Sequence, residues 1–308
     1  MLSILTFITG ATGTEVAKPS EYTIRNVGNL ENIAIDEASG MAISYITPDL
    51  IWVVNDGQNG SLLHAIDTRG SNKGKVKVNV PINYDWEDLT SFKMDGIPYI
   101  LVADIGDNRA TRDSYTLYVF EEQKIIDRLT TKSANIKPAW QIDFTYEDGP
   151  LDSESVAVDT EEKRIYLISK RTLPPVLYEL PLKPSDPKKT QVAKRKTELH
   201  GIPRPNLEMM LENPLYGIRQ SWPTAMDISP DTKTSVILTY RNIYVYHRPS
   251  TMTWPEVFAG KPASVLKHSL FQAESITFDQ SGRNFYITSE LVPSPLLKVE
   301  RNEIENIE

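Results

Sequence analysis

Asn83-Tyr-Asp-Trp-Glu-Asp-Leu-Thr-Ser-Phe92, followed by Tyr99-Ile-Leu-Val-Ala-Asp-Ile-Gly-Asp-Asn108, decides the fold. Each stretch joins an acidic cluster to a short apolar run with the composition of a β-strand. In the first, the carboxylates of Asp85, Glu87 and Asp88 stand at the start of the run. In the second, Asp104 and Asp107 stand at its end. If the two runs form an antiparallel hairpin, both clusters lie at the same end of it.

Working outward, the same paired run recurs. It stands upstream at residues 38–44 and 50–56, and downstream at 155–159 with 164–169, 225–229 with 235–240, and 275–278 with 284–288. The first four copies each continue with two more strand-like runs, such as 61–67 and 75–80, or 176–180 and 190–199. The fifth copy continues only with 296–299, and an isolated strand at 21–27 is left to complete it. Repeats of four short strands over tens of residues are the signature of a propeller. The expectation is therefore an all-β protein: a β-propeller of five blades of four antiparallel strands, one domain over residues 18–308, closed by its N-terminal strand. Six blades is the alternative if residues 201–222 conceal another. That Pro-rich stretch, with Leu207-Glu-Met-Met-Leu-Glu212 inside it, reads instead as an insertion with a loop or short helix.

Composition narrows the chemistry. A 308-residue chain with 40% hydrophobic residues can bury a substantial core. The net charge of -8 argues against nucleic acid as partner and is compatible with a cation or a small soluble ligand. Without cysteine there is no disulfide, thiolate zinc site or cysteine nucleophile. Residues 1–17 have an apolar, then small-residue character that fits a secretion leader, giving secreted or periplasmic as the expected location, although a basic start is missing. No run is long enough to span a bilayer as a helix.

Aligning the copies on their first strands brings one polar position into register: Ser39, Glu87, Glu154, Thr224 and Glu274. First strands line a propeller's channel, so these five side chains should converge on the axis. Three carboxylates so placed repel one another unless a cation lies between them or they take up protons. An all-oxygen set suits Ca²⁺, with water completing the shell; Mg²⁺ is the alternative. The competing reading is a ring of polar residues that hydrogen-bonds loop backbone and water.

The blade starts Glu-Ala-Ser-Gly, Asp-Trp-Glu, Ser-Glu-Ser, Pro-Thr-Ala-Met and Ala-Glu-Ser-Ile resemble those of the soluble calcium-activated nucleotidases, or apyrases. That family consists of five-bladed propellers with one Ca²⁺ on the axis. The resemblance implies Ser39, Glu87, Glu154, Thr224 and Glu274 as ligands or near-ligands, with Thr224 where the family has Ser. The Asp-Trp-Glu-Asp-Leu and Asp-Ile-Gly-Asp-Asn wording is also similar to a group of uncharacterised bacterial propellers.

The ends of the second strands should share the channel mouth: Asn55 and Asp56; Asp104, Asp107 and Asn108; Lys170 and Arg171; Tyr240 and Arg241; Ser289 and Glu290. There Arg171 and Arg241 could hold an anionic small molecule, and Asp56 or Asp104 could position an attacking water. Alternatively, the cations only neutralise the surplus carboxylates. The expected function is thus a calcium-centred hydrolase of a phosphate ester or nucleotide, or else a non-catalytic ligand- or protein-binding propeller with a structural calcium. The histidines show no ligand spacing, and His64 sits in an apolar strand as a packing residue. The basic run Lys188, Lys189, Lys194, Arg195 and Lys196 reads as a solvated outer edge that discourages edge pairing.

Overall fold

The computed structural model describes residues 21–57, 59–129, 136–212, 214 and 216–303; the expected leader at 1–17 lies outside them. Twenty strands are described: β1 (Tyr22–Asn29), β2 (Ala38–Ile43), β3 (Leu50–Asn55), β4 (Leu62–Asp67), β5 (Asn72–Lys77), β6 (Trp86–Met94), β7 (Ile97–Asp104), β8 (Tyr115–Glu121), β9 (Trp140–Tyr146), β10 (Ser153–Asp159), β11 (Arg164–Ser169), β12 (Val176–Pro181), β13 (Gln191–Glu198), β14 (Pro223–Ile228), β15 (Thr234–Thr239), β16 (Asn242–His247), β17 (Ser264–Lys267), β18 (Ala273–Phe278), β19 (Phe285–Ser289) and β20 (Pro295–Arg301). They form antiparallel meanders of four, in the orders β2-β3-β4-β5, β6-β7-β8-β9, β10-β11-β12-β13 and β14-β15-β16-β17. The last set, β18-β19-β20, is completed by β1, which pairs antiparallel with β20 on its outer side.

The strand sets are wedged together by hydrophobic clusters at each junction. Trp52 and Val54 of the first set pack with Trp86, Ile100 and Phe120 of the second. Tyr115 and Phe144 meet Val156 and Tyr178 of the third. Tyr166 and Ile168 meet Ile237 and Tyr244 of the fourth, and Val236 and Leu238 meet Ile276 and Phe285 of the fifth. Val53 and Ile66 meet Tyr286 and Leu296, which returns to the first set. Innermost strands are covered on both faces, so β2, β10, β14 and β18 are buried at every position. Their buried positions include polar residues, such as Glu154 and Asp159 of β10 and Glu274 and Thr277 of β18, as well as apolar ones.

Residues 201–222 add no strand among those described; they hold the short helix α1 (Leu207–Glu212). No helix among the described residues is long and apolar enough to cross a membrane. The basic run does differ from expectation. β13 is not an open edge: Gln191, Val192 and Ala193 pair in parallel with Phe144, Thr145 and Tyr146 of β9, fusing the second and third sets into one eight-stranded sheet. Acidic neighbours compensate the charge there. Lys194 and Arg195 pair with Glu147 and Asp148, and Lys196 with Glu179.

His64 is packed, as its apolar strand suggested. It is 2% exposed, with Nδ1 3.2 Å from the Asn32 amide nitrogen, which donates to it. Burial, with Lys75 nearby, lowers its pKa from 6.5 to about 4. The unfolded chain therefore binds a proton in this window that the folded chain refuses. Stability is fully present above about pH 6.5 and falls as the pH drops toward 4, by roughly 3 kcal/mol at the lower end. In urea titrations across that range, His64→Asn, which keeps an acceptor for Asn32, is expected to remove this part of the acid loss. An unchanged acid limb in the variant would refute it.

Candidate metal centre

Each innermost strand begins with a break in its pairing register, and the residue passed over is in every case the one in register by sequence. The breaks lie between Ala38 and Gly40, Trp86 and Asp88, Ser153 and Ser155, Pro223 and Ala225, and Ala273 and Ser275. The skipped residues are Ser39, Glu87, Glu154, Thr224 and Glu274. A bulge adds one residue to a strand and re-aims its side chain. All five are buried, none more than 5% exposed.

The two hydroxyls are held alike. Ser39 Oγ donates to the Trp86 carbonyl at 2.9 Å and Thr224 Oγ1 to the Ala273 carbonyl at 2.7 Å, in each case one residue before the glutamate of the next set. Each hydroxyl has only one proton to give. Donation leaves both lone pairs of each oxygen available to accept.

The carboxylates crowd together. Oxygens of Glu87, Asp152 and Glu154 lie within 4.8 Å of one another, as do those of Asp56, Asp85 and Glu87. Lys170 Nζ bonds Glu154 Oε1, while Glu154 Oε2 is buried without a donor. Tyr240 donates to Glu274 Oε1 at 2.6 Å. Burial pushes Glu87 well above the usual carboxylate range, with Glu154 and Asp56 adding to it. Burial also raises Glu154 against the pull of Lys170, and raises Glu274. Lys170 is opposed by burial, but Glu154 and Glu274 hold its ammonium well above the ordinary value. Glu290, 2.7 Å from the Gln272 amide, is pushed up to about 8 by burial and by Glu274 and Asp56.

At the mouth, second-strand ends do meet first-strand starts: Asn55 pairs with Ala38, Asp104 with Trp86, Ser169 with Ser153, Thr239 with Pro223 and Ser289 with Ala273. Of the residues expected to handle an anion and water there, most are engaged. Asp104 accepts from the Tyr84 and Asp85 amides at 3.1 and 3.3 Å and pairs with Arg112 at 2.8 Å. Arg171 pairs with Asp152 at 2.5 Å and lies over the Trp222 ring at 4.7 Å. Arg241 pairs with Glu212 of α1 at 2.8 Å. Asp56 instead meets Asp85, whose carboxyl is raised to about 7 by burial and by Asp56 itself.

Asp85 and Asp152 join the carboxylate cluster although neither recurs in register. Asp85 arrives because Gly106 allows it: a Cβ at Gly106 would collide with Glu87 Oε1 and the Asp85 carboxylate. The Gly-Asp-Asn wording after β7 is the only sequence signal for that close approach.

Below the ring two more acids sit inside the channel. Asp88 is fully buried and accepts from Leu89 at 2.8 Å, Val156 at 2.8 Å and Met226 at 3.4 Å, three different innermost strands. Asp227 accepts from the Ile228 and Phe278 amides, both at 2.9 Å, and from the Thr90 hydroxyl at 3.3 Å. Burial pushes Asp227 up to about 7 against these donors. Asp88 has no counterpart in register on the other innermost strands; one carboxylate that accepts from three innermost strands needs none.

No protein-family model and no curated sequence matches the chain. Solved structures of similar arrangement include the WD40 repeats of RRP9 (11% identity, TM-score 0.43, covering 86% of this chain and 67% of that one). Others are the hydrazine synthase of Kuenenia stuttgartiensis (12%, 0.45, 87% and 72%) and a luciferin-regenerating enzyme (9%, 0.46, 91% and 95%). The class of protein is an antiparallel β-propeller, and it rests on the sheet topology; these likenesses concern architecture alone.

Proposed function

We propose that the chain is a five-bladed propeller centred on a calcium ion, and that it hydrolyses an anionic small molecule such as a phosphate ester or nucleotide. The observation that carries the metal is Glu154 Oε2, buried without a donor among further carboxylates. Asp56, Asp85, Glu87, Asp152, Glu154 and Glu274 outnumber the cations beside them, Lys170, Arg171 and Arg112, so the ionised cluster carries a surplus of negative charge that a divalent cation would offset. Ser39, Glu87, Glu154, Thr224 and Glu274 would hold it through oxygen alone, the set that suits Ca²⁺, with Mg²⁺ the alternative. When bound, such an ion polarises a phosphoryl oxygen and lowers the pKa of a bound water.

Hydrolysis is supported by the Asp56–Asp85 pair. Asp85 lines an open cavity of about 520 Å³ with Arg109 and Arg112, beside Glu87. A substrate anion could lie along Arg109, with the acid pair in reach of its leaving group or of water, while Arg112 stays on Asp104. A secreted or periplasmic location, proposed from the leader, would expose the site to calcium. With Ca²⁺ or Mg²⁺ present, the protein is expected to release phosphate from a panel of nucleotides and sugar phosphates, and Asp85→Asn to lower kcat by about 100-fold or more. The non-catalytic reading is favoured by one observation, the pairing of Asp104, Arg171 and Arg241 with internal partners. Calcium raising the Tm without any phosphate release would decide for it.

A further inference from the structure

The mouth carries a second cavity, off the axis, between the fourth and fifth strand sets and beside the insertion that bears α1. Its volume is about 230 Å³, which at about 30 Å³ per water holds on the order of ten non-hydrogen atoms. On a chain of net charge -8 its lining is positive: Arg219, Arg241 and Lys267 line it with Glu212 as the one acidic lining residue, and Glu208 stands behind it 3.7 Å from Arg241. His268, also in the wall, adds no charge. Burial lowers its pKa, and its Nε2 donates to the Thr239 carbonyl at 2.9 Å.

The three cations are unequally served. Glu212 is shared, with Oε2 2.8 Å from Arg241 and Oε1 3.6 Å from Lys267. Arg219 lies over the rings of Tyr216 and Trp222, at 5.4 and 5.6 Å, and makes no ion pair among the described residues. Tyr216, Tyr240 and Phe271 supply the aromatic part of the wall, with Leu270, Gln220 and Gln272 beside them. Tyr216 and Phe271 meet edge to face at 5.5 Å, and both leave large apolar surface open to solvent. A few convergent charged groups above an uncovered aromatic wall are the makings of a small-molecule site. Tyr240 separates it from the axis, its ring in this wall and its hydroxyl on Glu274.

We propose that this cavity binds a small organic anion: a carboxylate or phosphate head group carried on a flat apolar body. Arg241, with Arg219 and Lys267, takes the head group in the forked geometry that guanidinium offers to such oxygens. Tyr216 and Phe271 flank the flat body. Glu212 occupies the head-group position in the free protein and is displaced on binding, so it is an internal competitor.

Calorimetric titration of the full chain with benzoate and with phenyl phosphate tests this, with benzyl alcohol as the neutral match. Saturable binding of one or both anions, but not of the alcohol, is expected, and the tighter of the two identifies the head group. Arg241→Gln should weaken it at least tenfold. Glu212→Gln should tighten it severalfold, a gain that a merely structural glutamate would not give. Binding should persist in Glu87→Gln, so failure of the axial metal leaves this site standing. No saturable binding to either the wild type or Glu212→Gln would overturn the proposal. So would equal binding of benzyl alcohol, or affinities that neither substitution moves.

Discussion

Glu87→Gln is expected to weaken calcium binding by roughly 100-fold, while the metal-free protein melts at the same temperature or higher. The two halves follow from the same surroundings. Glu87 is buried with the Glu154, Asp56 and Asp85 carboxylates near it, and only Lys170 counts in its favour. Without a cation its charge is a cost, and an amide of the same shape removes that cost. With a divalent cation a few ångströms away, a unit negative charge gains roughly 8 kcal/mol at an effective dielectric near 20; after the desolvation and deprotonation of the buried carboxyl are subtracted, about 3 kcal/mol remains, which is the 100-fold. Calcium titration and thermal melts with and without calcium read both quantities. Unchanged calcium affinity would falsify the ring, and a fall in the metal-free Tm would recast Glu87 as a packing residue. Glu179→Gln, on β12 beside Arg164 and Lys196 and outside the carboxylate cluster, should leave calcium affinity unchanged.

The second large effect concerns stability. Asp88→Ala leaves the amides of Leu89, Val156 and Met226 without their acceptor in a buried channel. At about 1–3 kcal/mol for each unsatisfied group, and allowing for relaxation, the loss is expected near 3–6 kcal/mol. That is a large part of what holds a typical domain folded. Because Asp88 reaches β6, β10 and β14 at once, its loss loosens three strand sets together rather than one. Urea unfolding at neutral pH measures it; a loss below about 1 kcal/mol would mean that water replaces the carboxylate. Asp85→Ala, at the mouth, should cost far less, since Asp85 is only half-buried.

Repetition made the architecture legible. Trp52, Val54, Leu101 and Val102 sit in short apolar runs bounded by turn residues, and runs of that kind recur until the pattern can only close on itself. Even the closing strand was visible, since Tyr22–Asn29 had no partner nearby and β20 lacked one. Five polar residues in register were visible for the same reason, and each proves to be the residue passed over at a bulge.

What did not repeat could not be read. The pairing of β13 with β9 depends on how two neighbouring sheets splay at their outer edges. Asp85 and Asp152 enter the carboxylate cluster from single loops, one of them through the space that Gly106 leaves open. Arg171 and Arg241 could be placed at the mouth, but not their partners, Asp152 and Glu212, which are far from them along the chain or on an insertion. Sequence by itself determined the strands, their grouping and the polar position that repeats at each first-strand start, because hydrophobic period and repeat are local properties. Only the tertiary structure decided which charges are spent on one another and which remain for a ligand, because that depends on contacts across the ring between residues no periodicity connects.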